Sequence, residues 1–221
     1  MAYFSPEFSH FFRRLARNNR RPWYHAHKAE YETHVKVPFG LFVEEMIERI
    51  AALDPGMRCE SRAAIFRLAR DTRFSKDKTP YKTVASAVIG PGGRKSPLPS
   101  FYFQFGADGL GVAGGVYQPD RDALLRIRRA IRDDGATLDR LLRNRAFARV
   151  YGALQGERNV RLQPEFTAAA GDFPLLFNKQ FYYWREYEDP DLLLRRDLGE
   201  FLMRHYRAGR AVNAWLTRAM K

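Results

Sequence analysis

The chain predicts an α+β fold, and three observations carry that reading. Helical periodicity dominates the first quarter, short β-branched and aromatic runs parted by Gly/Pro turns occupy residues 57–118, and the helical period returns from Pro119. Strands and helices segregated in this way describe a mostly antiparallel meander flanked by helices. At 221 residues the length suits one domain. Its expected layout is helical over 5–54, sheet over 57–118, helical over 119–150, loop and strand over 152–188, and helical over 190–220.

Each element has a local reason. Ser5-Pro6-Glu7 is a helix opening, with a capping hydroxyl, a proline in the first turn and an early acid. Phe8, Phe11, Phe12 and Leu15 then share one face. Asn18-Asn19 ends that helix, a second is expected from Trp23 to about Val35, and Pro38 can start a third, which Asp54-Pro55-Gly56 stops. Strands are expected over Ile65 to Asp71, Thr83 to Ile89, Phe101 to Phe105 and Leu110 to Tyr117. Phe101, Phe103 and Phe105 alternate with Tyr102 and Gln104, so one face is buried and the other polar. Ala107-Asp108-Gly109 is a hairpin signal. Leu124, Ile127, Ile131, Leu138, Leu141 and Leu142 mark further helix, residues 152–173 read as a surface loop, and Phe181 to Trp184 as another strand. Asp189-Pro190-Asp191 opens a helix bearing Leu194, Leu198, Phe201 and Leu202, and a last helix carries Val212, Trp215 and Leu216.

An apolar share of 45% is that of a globular protein. No apolar run of membrane-spanning length and no secretory leader pattern is present, so the expectation is a soluble cytoplasmic protein without a membrane partner. The single cysteine, Cys59, excludes an internal disulfide and a thiolate zinc cluster and reads as a small buried hydrophobe. The net charge of +13 is focused: residues 61–100 hold nine Lys+Arg against two Asp+Glu, an excess of seven. A smaller focus is Arg13, Arg14, Arg17, Arg20 and Arg21.

Several motifs fail on context. Gly109 to Gly114 matches G-x-G-x-x-G, but a strand-like run rather than a helix follows, and glycines there fit a bulge or a close backbone approach better. Gly90 to Ser96 resembles a phosphate loop, yet Arg94 stands before the lysine and Pro97 and Pro99 forbid the following helix. The Gly90–Pro99 stretch is either a mobile solvated loop or a basic lid. His25, His27 and His34 lack metal-ligand spacing, no G-x-S-x-G elbow occurs, and no cofactor is specified.

The stretch from Ile65 to Lys82, IFRLARDTRFSKDKTPYK, interleaves Arg67, Arg70, Arg73, Lys76, Lys78 and Lys82 with Asp71, Asp77 and small hydroxyls. If extended, it sets Arg67 and Asp71 on one face as an ion pair, while Ser75 to Pro80 has turn composition that can gather Arg73, Lys76, Lys78 and Lys82. A charged hydrogen bond contributes roughly 1.5–3 kcal/mol, so three such donors suffice for a phosphate-type anion. The plainer alternative is a solvated turn with structural salt bridges. The segment Phe66 to Lys82 resembles the signature of an uncharacterised bacterial and fungal family, domain of unknown function 2461. Asn18-Asn19 to Trp23, Tyr24, Lys28 and Tyr31, Gly114 to Pro119, and Phe147 to Gly156 are similar to further elements of that family. Pro22 stands where the family usually has an acid, and Leu162-Gln163-Pro164 replaces a more basic run. The resemblance spans nearly the whole chain and implies a single domain.

Three functional readings follow. In the first the six cations bind a phosphorylated small ligand; if the protein is an enzyme, Asp71 or Asp77 is the candidate base and Tyr81 or Tyr117 a hydrogen-bonding partner. In the second the basic stretch and the N-terminal arginines bind nucleic acid, with Tyr102 or Tyr117 stacking bases. In the third the ion pairs only brace the sheet. The sequence is silent on oligomeric state.

Overall fold

The computed structural model describes residues 2–221 and is α+β. In chain order the helices are α1 (Pro6–Arg17), α2 (Arg21–Ala26), α3 (Lys28–Tyr31), α4 (Val37–Leu53), α5 (Ser61–Ala64), α6 (Arg121–Leu142), α7 (Arg145–Tyr151), α8 (Pro164–Thr167) and α9 (Leu198–Ala219). Strands β1 (Val84–Ile89), β2 (Ser100–Gly106), β3 (Leu110–Val116) and β4 (Phe181–Tyr187) form one antiparallel sheet in the order β1-β2-β3-β4. Among the described residues no helix is long and apolar enough to cross a membrane.

The chain divides into two compact units. The first comprises residues up to Lys95 with Tyr102–Val112 and Glu186–Met203, and the second Ser96–Phe101, Ala113–Arg185 and Arg204–Lys221. In the first unit the alternation along β2 sends Phe103 and Phe105 into an aromatic core. Phe39 and Phe42 from α4, Phe4 just before α1 and Phe8 within it meet Phe105 at ring separations of 5.6, 5.5, 5.4 and 6.4 Å. Each fully buried phenylalanine contributes about 1.5–3 kcal/mol of transfer free energy. This layer holds α1 and α4 against the strand that borders β1.

Three elements differ from expectation, each for a local reason. Instead of a second helix ending near Val35 and a third starting at Pro38, a π-helical turn over Glu32–Lys36 runs directly into α4. Pro38 has no N–H to bond the preceding turn, and widening the helix accommodates the missing bond without ending it. The expected strand at 65–71 is not continuous. At the other end, Asp189 caps only a 3₁₀ turn, Pro190–Leu194, and α9 then runs unbroken where two helices were expected.

Gly209 sits inside that unbroken helix because something passes close to it. In the second unit the Tyr183 ring is wedged between Gly114 of β3 and Gly209 of α9, where a Cβ at either position would overlap the ring. The buried Tyr183 hydroxyl donates to Asn213 Oδ1 at 3.0 Å, and Asn213 Nδ2 donates to the Ser100 carbonyl at 3.3 Å. Gly114, the last glycine of the run that imitates a dinucleotide motif, thus serves close packing. Gly209→Ala is expected to cost roughly 1–3 kcal/mol through overpacking, read as a lower urea midpoint at unchanged slope. Gly40→Ala in α4, where a Cβ meets open space, should instead leave stability unchanged or raise it by up to about 1 kcal/mol.

Candidate functional site

The basic stretch forms an irregular hairpin along the outer edge of β1. Ile65 pairs with Ala87, and the Phe66 N–H donates to the Ser86 carbonyl at 2.9 Å. Further on, Ala69 pairs with Tyr81, Lys82 N–H donates to the Leu68 carbonyl and Arg70 N–H to the Pro80 carbonyl. Between the Phe66/Ser86 and Leu68/Lys82 positions the outer strand has Arg67 alone, whereas the inner strand has Thr83, Val84 and Ala85. That two-residue slip is a bulge, which interrupts the ladder and is why 65–71 is not a regular strand.

Asn19 anchors this hairpin from the turn between α1 and α2. Its Nδ2 donates to the Tyr81 carbonyl at 2.9 Å, and its Oδ1 accepts from the Tyr81 N–H at 3.1 Å. The buried Tyr81 ring lies 4.4 Å from that of Tyr24 in α2. Tyr24 touches Tyr31, Tyr31 touches Phe11, and Trp23 stacks on His27 at 4.1 Å. The N-terminal Asn-Asn…Trp-Tyr element and the Thr-Pro-Tyr-Lys element are therefore two halves of one joint. Arg14, from the smaller basic focus, pairs with Glu30 at 2.8 Å and lies over Trp23.

The six cations separate into two groups. In the loop beyond Ala69, Arg70 pairs with Asp77 and donates to Thr79 Oγ1 at 2.6 Å, and Arg73 makes a bidentate pair with Asp71 at 3.0 and 2.7 Å. The expected Arg67–Asp71 pair is replaced by Arg73–Asp71, because Arg73 reaches that carboxylate from two residues away along the turn. Lys78 donates to the Thr72 carbonyl at 2.9 Å and Lys76 is exposed. Arg73 pulls Asp71 down to about 2; the Thr79 backbone N–H first, and then Arg70, hold Asp77 at about 2. Carboxylates so low and so occupied are weak proton acceptors near neutral pH.

At the hairpin's base lies the second group. Lys82 Nζ sits 4.8 Å from the centre of the Phe66 ring and the Arg94 guanidinium 6.0 Å from it. Arg94 is fixed in a 3₁₀ turn, Gly93–Lys95, by donating to the carbonyls of Arg62, at 2.7 Å, and Ile65. Exposed Arg67 is the single outer-strand residue opposite the bulge. Burial first, and then the charges of Arg67, Arg94 and Arg70, lower the Lys82 pKa. Beneath them the polar face of β2 carries Tyr102, whose hydroxyl donates to Gln104 Oε1 at 2.9 Å and whose ring meets Phe66 at 6.0 Å. Arg94 is not among the six cations expected from the sequence; its signal is the Gly90–Pro99 stretch, a loop or a basic lid on sequence grounds.

Tyr117 belongs to the second unit, 60% exposed and edge-on to Tyr182. Two cavities of about 580 and 170 Å³ lie in the first unit, the larger near Tyr3, Glu44, Glu48 and Cys59, the smaller near Gln104, Gly109 and Glu186. None of the six cations lines either of them.

Asn19→Ala removes both bonds to the Tyr81 backbone and is expected to cost about 1–3 kcal/mol, with faster amide exchange concentrated at residues 66–82. For the loop, folded carboxyl values depressed below the ordinary 3.9 or so mean that its ion pairs are complete above about pH 4 and are lost as pH falls through about 2. Amide shifts of residues 71–79 followed by NMR should report that transition.

A family model described as conserved hypothetical protein, domain of unknown function 2461, matches residues 7–215. No curated protein and no solved structure matches the chain. The match covers both halves of the Asn19–Tyr81 joint, the basic hairpin and the Gly114–Tyr183 contact, and on that extent the chain belongs to this family.

Proposed function

We propose that this protein, cytoplasmic on its sequence, binds a phosphate-type anion on the surface formed by Arg67, Lys82 and Arg94. The observation that supports the reading is their company: Lys82 and Arg94 lie over one aromatic ring, Phe66, the charge of Arg67 reaches Lys82, and among the described residues none of the three has an ion pair of its own, since Asp71, which feels Arg67, is held by Arg73. Cations are placed together without a counter-ion only against their mutual repulsion, and an oxyanion removes that repulsion while accepting their donors. The neighbouring Arg70 and Arg73 already have carboxylates of their own, so they shape the loop and are not needed as ligands. The ligand class is a phosphoryl group on a larger molecule. Lys82 keeps three donor protons for it and Arg67 its whole guanidinium.

The sign of the Lys82 shift yields a test. Its folded pKa lies below the ordinary lysine value of about 10.4, so a folding penalty is full below the depressed value and is relieved as pH climbs towards the ordinary one. A bound anion should reverse this. Pyrophosphate is expected to raise the Lys82 pKa, followed by NMR of the side-chain ammonium. Arg67→Ala should raise it without any ligand and weaken pyrophosphate binding roughly tenfold. A Lys82 titration that millimolar pyrophosphate leaves unmoved would sink the proposal.

A further inference from the structure

The hairpin tip is organised as deliberately as its base. Phe74 stands at that tip with 96% of its surface exposed. A lone exposed apolar residue is ordinary, but this one is mounted on a loop folded around its own polar groups. Besides the Arg70–Asp77 and Arg73–Asp71 pairs, the Thr79 N–H donates to Asp77 at 2.9 Å and Lys78 to the Thr72 carbonyl. Those bonds use up the loop's own carboxylates and hold the ring away from the body of the unit. Arg73 lies over the ring at 5.9 Å, and Lys76 and Lys78 follow within four residues.

We infer that the hairpin is a platform for single-stranded nucleic acid, on which Phe74 stacks against an unpaired base. Lys76 and Lys78 at the tip, and Arg67, Lys82 and Arg94 at the base, contact successive phosphates. The inference rests on the anion site proposed above and names its partner. Two features select this class. Phe74 lies in the loop beyond the Arg70–Pro80 pairing, whereas Arg67 and Lys82 lie on the other side of that pairing at the base, so the ring and the base cations occupy opposite ends of the hairpin, which linked nucleotides span and a single phosphoryl group does not. A protruding ring needs a free π-face, which an unpaired base offers and a duplex, already stacked, does not. Tyr102 is unsuited to stacking, since burial surrounds its ring and Gln104 takes its hydroxyl.

The test compares three probes on the full chain: a fluorescently labelled oligothymidylate of about ten nucleotides, pyrophosphate, and vesicles containing phosphatidylserine. Phe74→Ala is expected to weaken oligonucleotide binding roughly tenfold and leave pyrophosphate binding unchanged, while Phe74→Trp retains both. Arg67→Ala should weaken both ligands, and the oligonucleotide should bind less tightly as salt rises. Thermal melts verify that the variants remain folded, as expected for side chains this exposed. Equal oligonucleotide affinity in wild type and Phe74→Ala overturns the inference and leaves the anion site standing; so does a duplex that competes as well as the single strand. Phe74-dependent binding to vesicles but not to the oligonucleotide overturns it in favour of a lipid surface. Pyrophosphate binding indifferent to Arg67→Ala removes the anion site itself, a failure visible without any oligonucleotide.

Discussion

Two hydrogen bonds from one side chain, Asn19, to the backbone of Tyr81 decide where the basic hairpin lies. An edge segment whose ladder slips by two residues has too few pairings to hold itself against β1. Asn19 supplies a donor and an acceptor where regular strand pairing has given out, and the Tyr24–Tyr81 contact buries apolar surface beside them. Everything at the hairpin base follows from this joint. Lys82 adjoins Tyr81, the bulge opposite Arg67 begins just after Lys82, and Phe66 pairs beyond it.

The electrostatics then sort themselves by reach. In the loop, short turns bring Asp71 to Arg73 and Asp77 to Arg70, and each pair is exposed enough to contribute little stability while fixing conformation. At the base no acid among the described residues is paired with Lys82 or Arg94, and Asp71, which feels the charge of Arg67, is taken by Arg73. Lys82 and Arg94 both lie over the Phe66 ring, which places their charges within about 11 Å of one another. At an effective dielectric near 20 that separation corresponds to about 1.5 kcal/mol of repulsion before salt screening. The aromatic face offsets part of this, because the ring's quadrupole attracts both cations. The remainder is the physical basis of the binding reading. The seven excess charges in forty residues are thus divided: two acids pair with Arg70 and Arg73 in the loop, Lys76 and Lys78 remain there without carboxylates, and the base keeps its own cations.

Much of the architecture was legible in the chain because local patterns agree with burial. The alternation at Phe103 and Phe105, the 3.6-residue spacing of Phe8, Phe11, Phe12 and Leu15, and the Ala107–Gly109 turn each dictate which face goes inward irrespective of distant partners. The α+β class and the family likeness rest on such patterns, and so does the identity of the basic stretch. Tertiary structure alone decided which acid takes which arginine, that a π turn carries the helix past Pro38, and that Gly114 and Gly209 make room for Tyr183. It alone brought Arg94 to Lys82 across a gap of twelve positions and separated the tip from the base of the hairpin. The physical reason is that ion pairing and ring packing depend on distances between segments, which are set only once the backbone has closed, while periodicity is a property of each segment by itself.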